Sequence, residues 1–320
     1  MLVELVVPCY NESAVLKMFY EEASRVISSI KDYEFRFIFI DDGSKDNTLT
    51  IMKELANIDD RIKYISFSRN FGKEAAMYAG LKNAIGDYVV ILDADLQHPP
   101  SLIADMLKAM EEGYDCCATN RASREGDPPL RVMFTRQFYK LTNVISEVDM
   151  PDGAGDFRMM SRKMVNAVIA LSEYQRFSKG IFSWVGFETK WIDFHDVERA
   201  AGETKWNFWG LVKYAIEGIT AFSTFPLKIA IYLGSMASFS SFVYLFVVVI
   251  KTLLYGKDFP GYASIIAILL FLGGSILLCS GIMGEYIAKI YIEVKNRPIY
   301  IVGKTNIDDV RDDYRGDVNV

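Results

Sequence analysis

A chain of 320 residues, 51% hydrophobic and with a formal net charge of −6, has room for one large or two ordinary domains and is slightly more apolar than a typical soluble domain. The negative balance, with no basic stripe and no RNA-reading aromatic signature, excludes a nucleic-acid binder. Cys9, Cys116, Cys117 and Cys279 form no CxxC pair and meet no histidine at zinc-ligand spacing, so they read as reduced thiols of a cytosolic compartment.

The stretch Met1-Leu2-Val3-Glu4-Leu5-Val6-Val7 lacks the basic region of a secretory signal and runs directly into a strand-like segment. From there to residue 120, short apolar runs alternate with longer amphipathic ones. Strands are predicted at 3–7, 35–40, 62–67, 88–92 and 115–119, and helices at 13–30, 47–57, 73–84 and 102–111. This rhythm predicts an α/β fold, Rossmann-like, with a mostly parallel sheet and helices on both faces. A polar cluster follows each predicted strand: Pro8-Cys9-Tyr10-Asn11-Glu12, Asp41-Asp42-Gly43-Ser44-Lys45-Asp46, Ser68-Arg69-Asn70, Asp93-Ala94-Asp95-Leu96-Gln97 and Asn120-Arg121. All fall at carboxyl ends of strands, the edge where open α/β sheets bind ligands.

Asp93 and Asp95 are two positions apart, so an extended backbone sends both side chains the same way. Carboxylates held that close either cap the following turn and helix or share a cation. No glycine-rich phosphate loop accompanies them. An acid-rich edge repels bare phosphate, suits ribose hydroxyls and base N–H groups, and accepts a diphosphate through a hard divalent cation. The ligand expected from these residues is a nucleoside diphosphate with sugar-type hydroxyls and a metal.

Beyond residue 120 the pattern loosens. Arg121, Arg124, Arg131 and Arg136 surround Gly126-Asp127-Pro128-Pro129, which is either a solvated basic face or a site for an anionic second substrate, since arginine suits phosphate. Asp152-Gly153-Ala154-Gly155-Asp156-Phe157-Arg158 reads as a turn feeding another strand. Residues 208–222 have apolar residues at helical spacing, with Phe208, Trp209, Tyr214 and Phe222. They predict an amphipathic helix at a membrane interface, or one packed on the domain.

Two uncharged stretches follow, 229–250 and 262–283, each long enough to cross about 30 Å of hydrocarbon. They predict a transmembrane hairpin. Lys251 and Lys257 between them are outnumbered by Lys289, Lys295, Arg297 and Lys304 beyond them, which places both ends in the cytoplasm. Gly234 and Ser238, one turn apart, permit close helix packing and hence a homo-oligomer. The expected units are a catalytic domain over 1–206, a juxtamembrane helix over 207–226, the hairpin over 227–287 and a cytosolic tail over 288–320, frayed at its acidic end.

Taken together, Val6-Val7-Pro8-Cys9-Tyr10-Asn11-Glu12, Asp41-Asp42-Gly43-Ser44 with Asp46, Asn70-Phe71-Gly72-Lys73, Asp93-Ala94-Asp95-Leu96-Gln97, Gly155-Asp156-Phe157-Arg158, Arg199 with Gly202-Glu203-Thr204-Lys205, and Arg297-Pro298 span nearly the whole chain. In this order they resemble the inverting family 2 glycosyltransferases of the GT-A fold. Within that family they look like the polyisoprenyl-phosphate glycosyltransferases, namely dolichyl-phosphate mannose synthase and the bactoprenol glucosyltransferases, and the hairpin fits the second group.

The resemblance implies that Pro8, Tyr10, Glu12 and Asp41 line a nucleoside pocket, with Asp42 near the ribose and diphosphate and with Ser44 and Lys73 in the same donor set. It implies that Asp93, Asp95 and Gln97 hold Mg²⁺ or Mn²⁺, that Arg121 and Arg131 receive an acceptor phosphate, and that Arg199 and Lys205 close on the donor diphosphate. Asp156, accompanied by Arg158, becomes the catalytic base or the group that positions the sugar.

The implied reaction moves one sugar with inversion from a nucleotide sugar to undecaprenyl phosphate in the cytoplasmic membrane, for cell-envelope glycan modification. UDP-glucose is the first choice of donor and UDP-N-acetylglucosamine the second. Implied partners are the bilayer, a flippase for the lipid-linked sugar and a downstream transferase. A processive polysaccharide synthase would share the domain, but its QxxRW signature is absent, since Gln175-Arg176-Phe177 does not match. A non-catalytic scaffold is opposed by the intact acidic set. His98 and Trp206 depart from the family pattern, and His98 and His195 read as structural.

Overall fold

Residues 1–121, 143, 154–194, 220, 223–255 and 261–311 are described from a computed structural model of the chain. Arg131, His195, Arg199, Lys205 and almost all of the helix expected at 208–222 lie outside these residues.

The apolar runs become strands buried on both faces. In chain order these are β1 (Leu2–Cys9), α1 (Leu16–Ser28), β2 (Glu34–Asp41), α2 (Thr48–Ile58), β3 (Ile62–Phe67), α3 (Lys73–Asn83) and β4 (Tyr88–Ile91). A short 3₁₀ turn at Pro100–Leu102 leads into α4 (Ile103–Glu111) and β5 (Cys116–Arg121). Then come β6 (Ala154–Ser161), α5 (Arg162–Ala170), α6 (Ser178–Trp184), β7 (Thr189–Phe194), α7 (Phe225–Tyr255), α8 (Tyr262–Val294) and β8 (Val302–Thr305). The described strands form one eight-stranded sheet in the order β7-β5-β6-β4-β1-β2-β3-β8. β2 runs past its expected end because Asp41 still pairs with Cys9 in the parallel ladder; backbone pairing, not hydrophobicity, ends the strand.

Alternation along each strand sorts the core into two layers. Val3, Leu5, Val7 and Cys9 of β1 face α1, α2 and α4, where Leu16, Phe19, Met52, Ile103 and Met106 are buried. Val6 faces the other way, toward the buried Ala76, Met77 and Leu81 of α3 and Met164 and Val165 of α5. A Cβ on Gly80 would lie 2.1 Å from Cγ1 of Val6, so α3 sits against β1 at a distance only glycine allows.

Two strands depart from the parallel pattern. β6 is antiparallel to both β4 and β5, and β8 is antiparallel to β3. The first reversal shapes the site, because it brings the beginning of β6 to the edge where β1 to β5 end.

The two apolar stretches form helices longer than expected. The windows Phe225–Leu254 and Ile268–Val294 are long and apolar enough to cross a membrane, and none of their side chains is buried inside the protein. After α8 the chain turns through Asn296 in the left-handed region (φ 48°). Ile299 and Tyr300 then enter the second core layer, and the Tyr300 ring, 1% exposed, stacks on Phe67 at 5.1 Å. β8 follows on the edge of β3, and Asn306 accepts from the Tyr64 amide at 2.7 Å. Residues 299–307, within the stretch expected as a cytosolic tail over 288–320, pack on the domain and extend its sheet.

Candidate active site

The loops after β1 and β2 clasp each other. The Asn11 amide donates to Ser44 Oγ (2.9 Å), Lys45 N donates to Asn11 Oδ1 (2.8 Å), and Glu12 N donates to Thr48 Oγ1 (2.9 Å). Asn11 adopts a left-handed backbone (φ 56°), which asparagine tolerates better than most residues. Gly43 also has positive φ (64°), and a Cβ there would come within 2.4 Å of the Arg69 carbonyl carbon. Pro8 is buried, whereas Tyr10, Glu12 and Ser44 are half-buried on this rim, open to a ligand.

The two acids after β2 face inward. Asp41, 1% exposed, accepts from Ser44 N at 3.0 Å and from Ser66 Oγ at 2.7 Å. Asp42 accepts from Asn70 Nδ2 (2.9 Å), Phe71 N (2.6 Å) and Gly72 N (3.0 Å). Burial pushes the Asp42 carboxyl up to about 6, against the pull of the two backbone amides. Its visible task is to hold the 70–72 loop from which α3 starts, and thus to place Lys73.

Lys73 is the hub of the edge. Its ammonium lies 2.8 Å from Asp93 Oδ1 and 2.8 Å from Asp156 Oδ2. The register explains the meeting: Ile91 pairs with Arg158 in the antiparallel ladder, so two residues further along Asp93 lies opposite Asp156. Burial would lower the Lys73 ammonium, but Asp156 and Asp93 outweigh it and hold the lysine above its ordinary range. Burial likewise opposes ionisation of Asp156, but Lys73 foremost, with further cations nearby, keeps its carboxyl well below the usual range. Asp156 is therefore a firm carboxylate and a weak base. The Lys73 side chain keeps 43% of its exposure, so an arriving anion can reach it.

Arg158 lies away from the open edge. It is 3% exposed, donates from Nη2 to the Gly155 carbonyl at 2.8 Å, and lies 3.8 Å over the Phe182 ring. These contacts hold the strand that carries Asp156.

Asp95, Leu96 and Gln97 make a tight turn after β4. Leu96 is left-handed (φ 58°), a costly state for a bulky side chain, and Gln97 N donates to Asp95 Oδ1 at 3.1 Å. No three His, Cys, Asp or Glu side chains among the described residues gather closely enough to hold a metal ion by themselves. Asp93, Asp95 and Gln97 nevertheless offer only oxygen donors at one strand end, half-exposed, a set that fits a hard divalent cation completed by water and phosphate oxygens.

His98 packs between the rings of Phe157 (5.6 Å) and Phe194 (5.0 Å), with Nδ1 buried and unpartnered among the described residues. Asn120 donates to Asp193 Oδ1 at 2.9 Å, and the Arg121 backbone pairs with Phe194 at the end of β5.

Glu74 is a feature that the sequence reading passed over. Its Oε2 accepts from Ser178 N at 3.0 Å and also from Ser178 Oγ, joining the first turns of α3 and α6 directly behind Lys73. A signal existed: α3 is buried nearly all round, so a carboxylate in its first turn needs a partner inside.

A family model described as "Glycosyl transferase family 2" matches residues 4–169. The bactoprenol glucosyl transferase of Shigella phage SfII is 44% identical over 306 residues, 96% of this chain and 99% of its own. The Bacillus subtilis (strain 168) protein CsbB, provisionally named a glycosyltransferase, is likewise 44% identical, over 96% of this chain and 92% of its own. Among solved structures, mannosyl-3-phosphoglycerate synthase from Rubrobacter xylanophilus is similar over 69% of this chain and 72% of its own, with 17% identity and a TM-score of 0.49.

Proposed function

The chain belongs to glycosyl transferase family 2 and has the GT-A fold, and from that premise we propose that it moves one sugar from a nucleotide sugar to the phosphate of a polyprenyl phosphate in a membrane. The observation that supports this most directly is the convergence of Asp93, Asp156 and Lys73 beside the Asp95–Gln97 turn, in a chain that also carries two exposed apolar helices. The relatives named bactoprenol glucosyl transferase align along 94 to 96% of the chain, hairpin included. They favour undecaprenyl phosphate as acceptor and UDP-glucose as donor, with UDP-N-acetylglucosamine second.

The reaction is an in-line displacement with inversion. A phosphate oxygen of the acceptor attacks the anomeric carbon, and the bond to the nucleoside diphosphate breaks. A phosphate monoester has a second pKa near 6 and is already ionised at neutral pH, so no strong base is required. That suits Asp156, whose charge is held by Lys73; it orients sugar or acceptor and does not remove a proton. Tyr10, Glu12 and Ser44 offer acceptors to the nucleoside on the clasped rim. Asp93, Asp95 and Gln97 would hold Mg²⁺ or Mn²⁺, which neutralises charge on the departing diphosphate. Arg199 and Lys205 share that load, and Arg121 and Arg131 take the acceptor phosphate. The catalytic domain lies on the cytoplasmic face, and the lipid-linked sugar passes to a flippase and a later transferase.

Purified protein, labelled UDP-glucose and undecaprenyl phosphate should yield a chloroform-soluble monosaccharide lipid, and EDTA should abolish it. A water-soluble polymer in place of that lipid would transfer the chain to the processive synthases. No turnover of any nucleotide sugar would remove the enzymatic reading.

A further inference from the structure

His98 stands between the Asp95–Gln97 turn and Asp156. The turn ends one residue before it, and its ring reaches across to β6, where it meets the residues on either side of Asp156. The ring centroid lies 5.6 Å from that of Phe157, and Nε2 lies 3.6 Å from where a Cβ on Gly155 would stand. Phe194, at the end of β7, closes the slot at 5.0 Å. Gly155 and Phe157 face the opposite side of β6 from Asp156, so the imidazole lies beneath the strand that carries this carboxylate.

The turn before His98 needs such support. Leu96 is left-handed (φ 58°), a state that a bulky residue keeps only where its surroundings over-determine it. Leu96 itself packs on the first core layer, and beyond His98 the backbone is restricted by Pro99 and by the buried Pro100. The His98 ring is the side chain that ties this segment to β6. Its nitrogens add little to the packing, because Nδ1 is buried with no hydrogen-bond partner among the described residues; what fills the slot is the shape of a flat ring. On the other face of β6, Lys73 joins Asp93 to Asp156 at 2.8 Å from each. Two struts on opposite faces therefore hold the end of β4 and its turn against Asp156, Lys73 on one and His98 on the other.

We propose that His98 is a positioning residue for the divalent cation, acting through the turn and not by ligation, and that it holds the Asp95 and Gln97 oxygens in register with Asp93. This rests on the function proposed above and deepens its metal half. Binding of UDP to the full-length protein in detergent, measured by calorimetry with and without Mn²⁺, gives the gain in affinity that the cation confers. His98→Ala should reduce that gain by about tenfold or more, the usual size of an effect transmitted through the support of a metal ligand. The affinity for UDP alone should stay within about twofold, because the nucleoside rim lies on β1 and β2, away from the slot. His98→Phe restores a ring of similar shape and should keep the gain within about threefold of the unaltered protein. Should His98→Ala not fold, His98→Val, which leaves part of the slot filled, takes its place and is held to the same results.

An unchanged gain in His98→Ala overturns the assignment. So does an equal loss in the Phe and Ala variants, which puts the effect in the nitrogens and not in the ring. A matching fall in the affinity for UDP alone marks general loosening and overturns it as well. If the unaltered protein binds UDP no better with Mn²⁺ present, the underlying metal reading fails first.

Discussion

Lys73 is the residue whose removal says most. Lys73→Met leaves Asp93 and Asp156 facing each other without the cation that bridges them, and the pair then takes up a proton closer to neutrality. We expect kcat to fall by about 100-fold or more and the acid limb of its pH profile to move upward, as measured between about pH 5 and 9. An unaltered profile would show that the bridge is incidental.

Glu74 gives a second residue-level test. Burial and then Asp156 raise its carboxyl from 4.5 to about 7, against the Ser178 donors. The folded chain thus holds this proton more tightly than the unfolded chain. Its contribution to stability is complete below about 4.5, is lost as pH climbs toward about 7, and is flat above. Glu74→Gln keeps an oxygen for Ser178 and does not titrate, so its Tm should gain on the unaltered protein across that window. A Tm difference independent of pH would refute this.

The candidate residues on the first five strands were legible because parallel strands place their polar ends on one edge. Asp156 and Arg158 share one face of β6, and the sequence motif does not show that Arg158 lies deeper along the strand, against Phe182.

At the scale of elements, β1 to α4 could be read from periodicity, since strands buried on both faces write themselves as apolar runs. The direction of β6 could not. β6 runs antiparallel to β4 and β5, a direction that its run of residues does not announce, and the meeting of Asp93 with Asp156 depends on it.

One residue inside an otherwise apolar strand also misleads. Glu4, fully buried in β1, accepts from Ile85 N (2.5 Å) and Gly86 N (2.6 Å) and pairs with Arg36 at 3.2 Å. Glu4→Ala leaves two amides, that of Gly86 buried, without their acceptor and should cost about 3 kcal/mol by chemical denaturation. A loss of less than about 1 kcal/mol would mean that water replaces the carboxylate.

β8 was missed because Val302-Gly303-Lys304-Thr305 is short and half polar; only the neighbouring Tyr300 betrays a buried segment. Tyr300→Ala should cost about 3–5 kcal/mol, close to a large aromatic removed from a core, and should release the β8 amides to hydrogen exchange.

At the scale of the whole molecule, the two ends of the hairpin lie side by side. Tyr286 donates its hydroxyl to the Ser223 carbonyl at 2.6 Å, and the Lys289 ammonium meets Thr220. A flexible linker joining residue 223 to residue 286 should therefore leave a soluble protein whose sheet still contains β8, as judged by circular dichroism and monodispersity. Truncation at 223 removes Tyr300 and β8, exposes Phe67 and Tyr78, and should aggregate. Equal behaviour of the two fragments would show that the closing strand is dispensable.

The position of β8 also fixes an order of events during synthesis. The ribosome makes the edge strand and Tyr300 after both apolar helices, so the sheet stays incomplete until the hairpin has left the exit tunnel. If the helices cross a bilayer, only a pair that returns to the starting side delivers β8 to β3. A chain that inserts with one crossing keeps an open edge and an empty slot beside Phe67. With the helices across a bilayer, a closed β3 edge would therefore report that the hairpin has returned to its starting side.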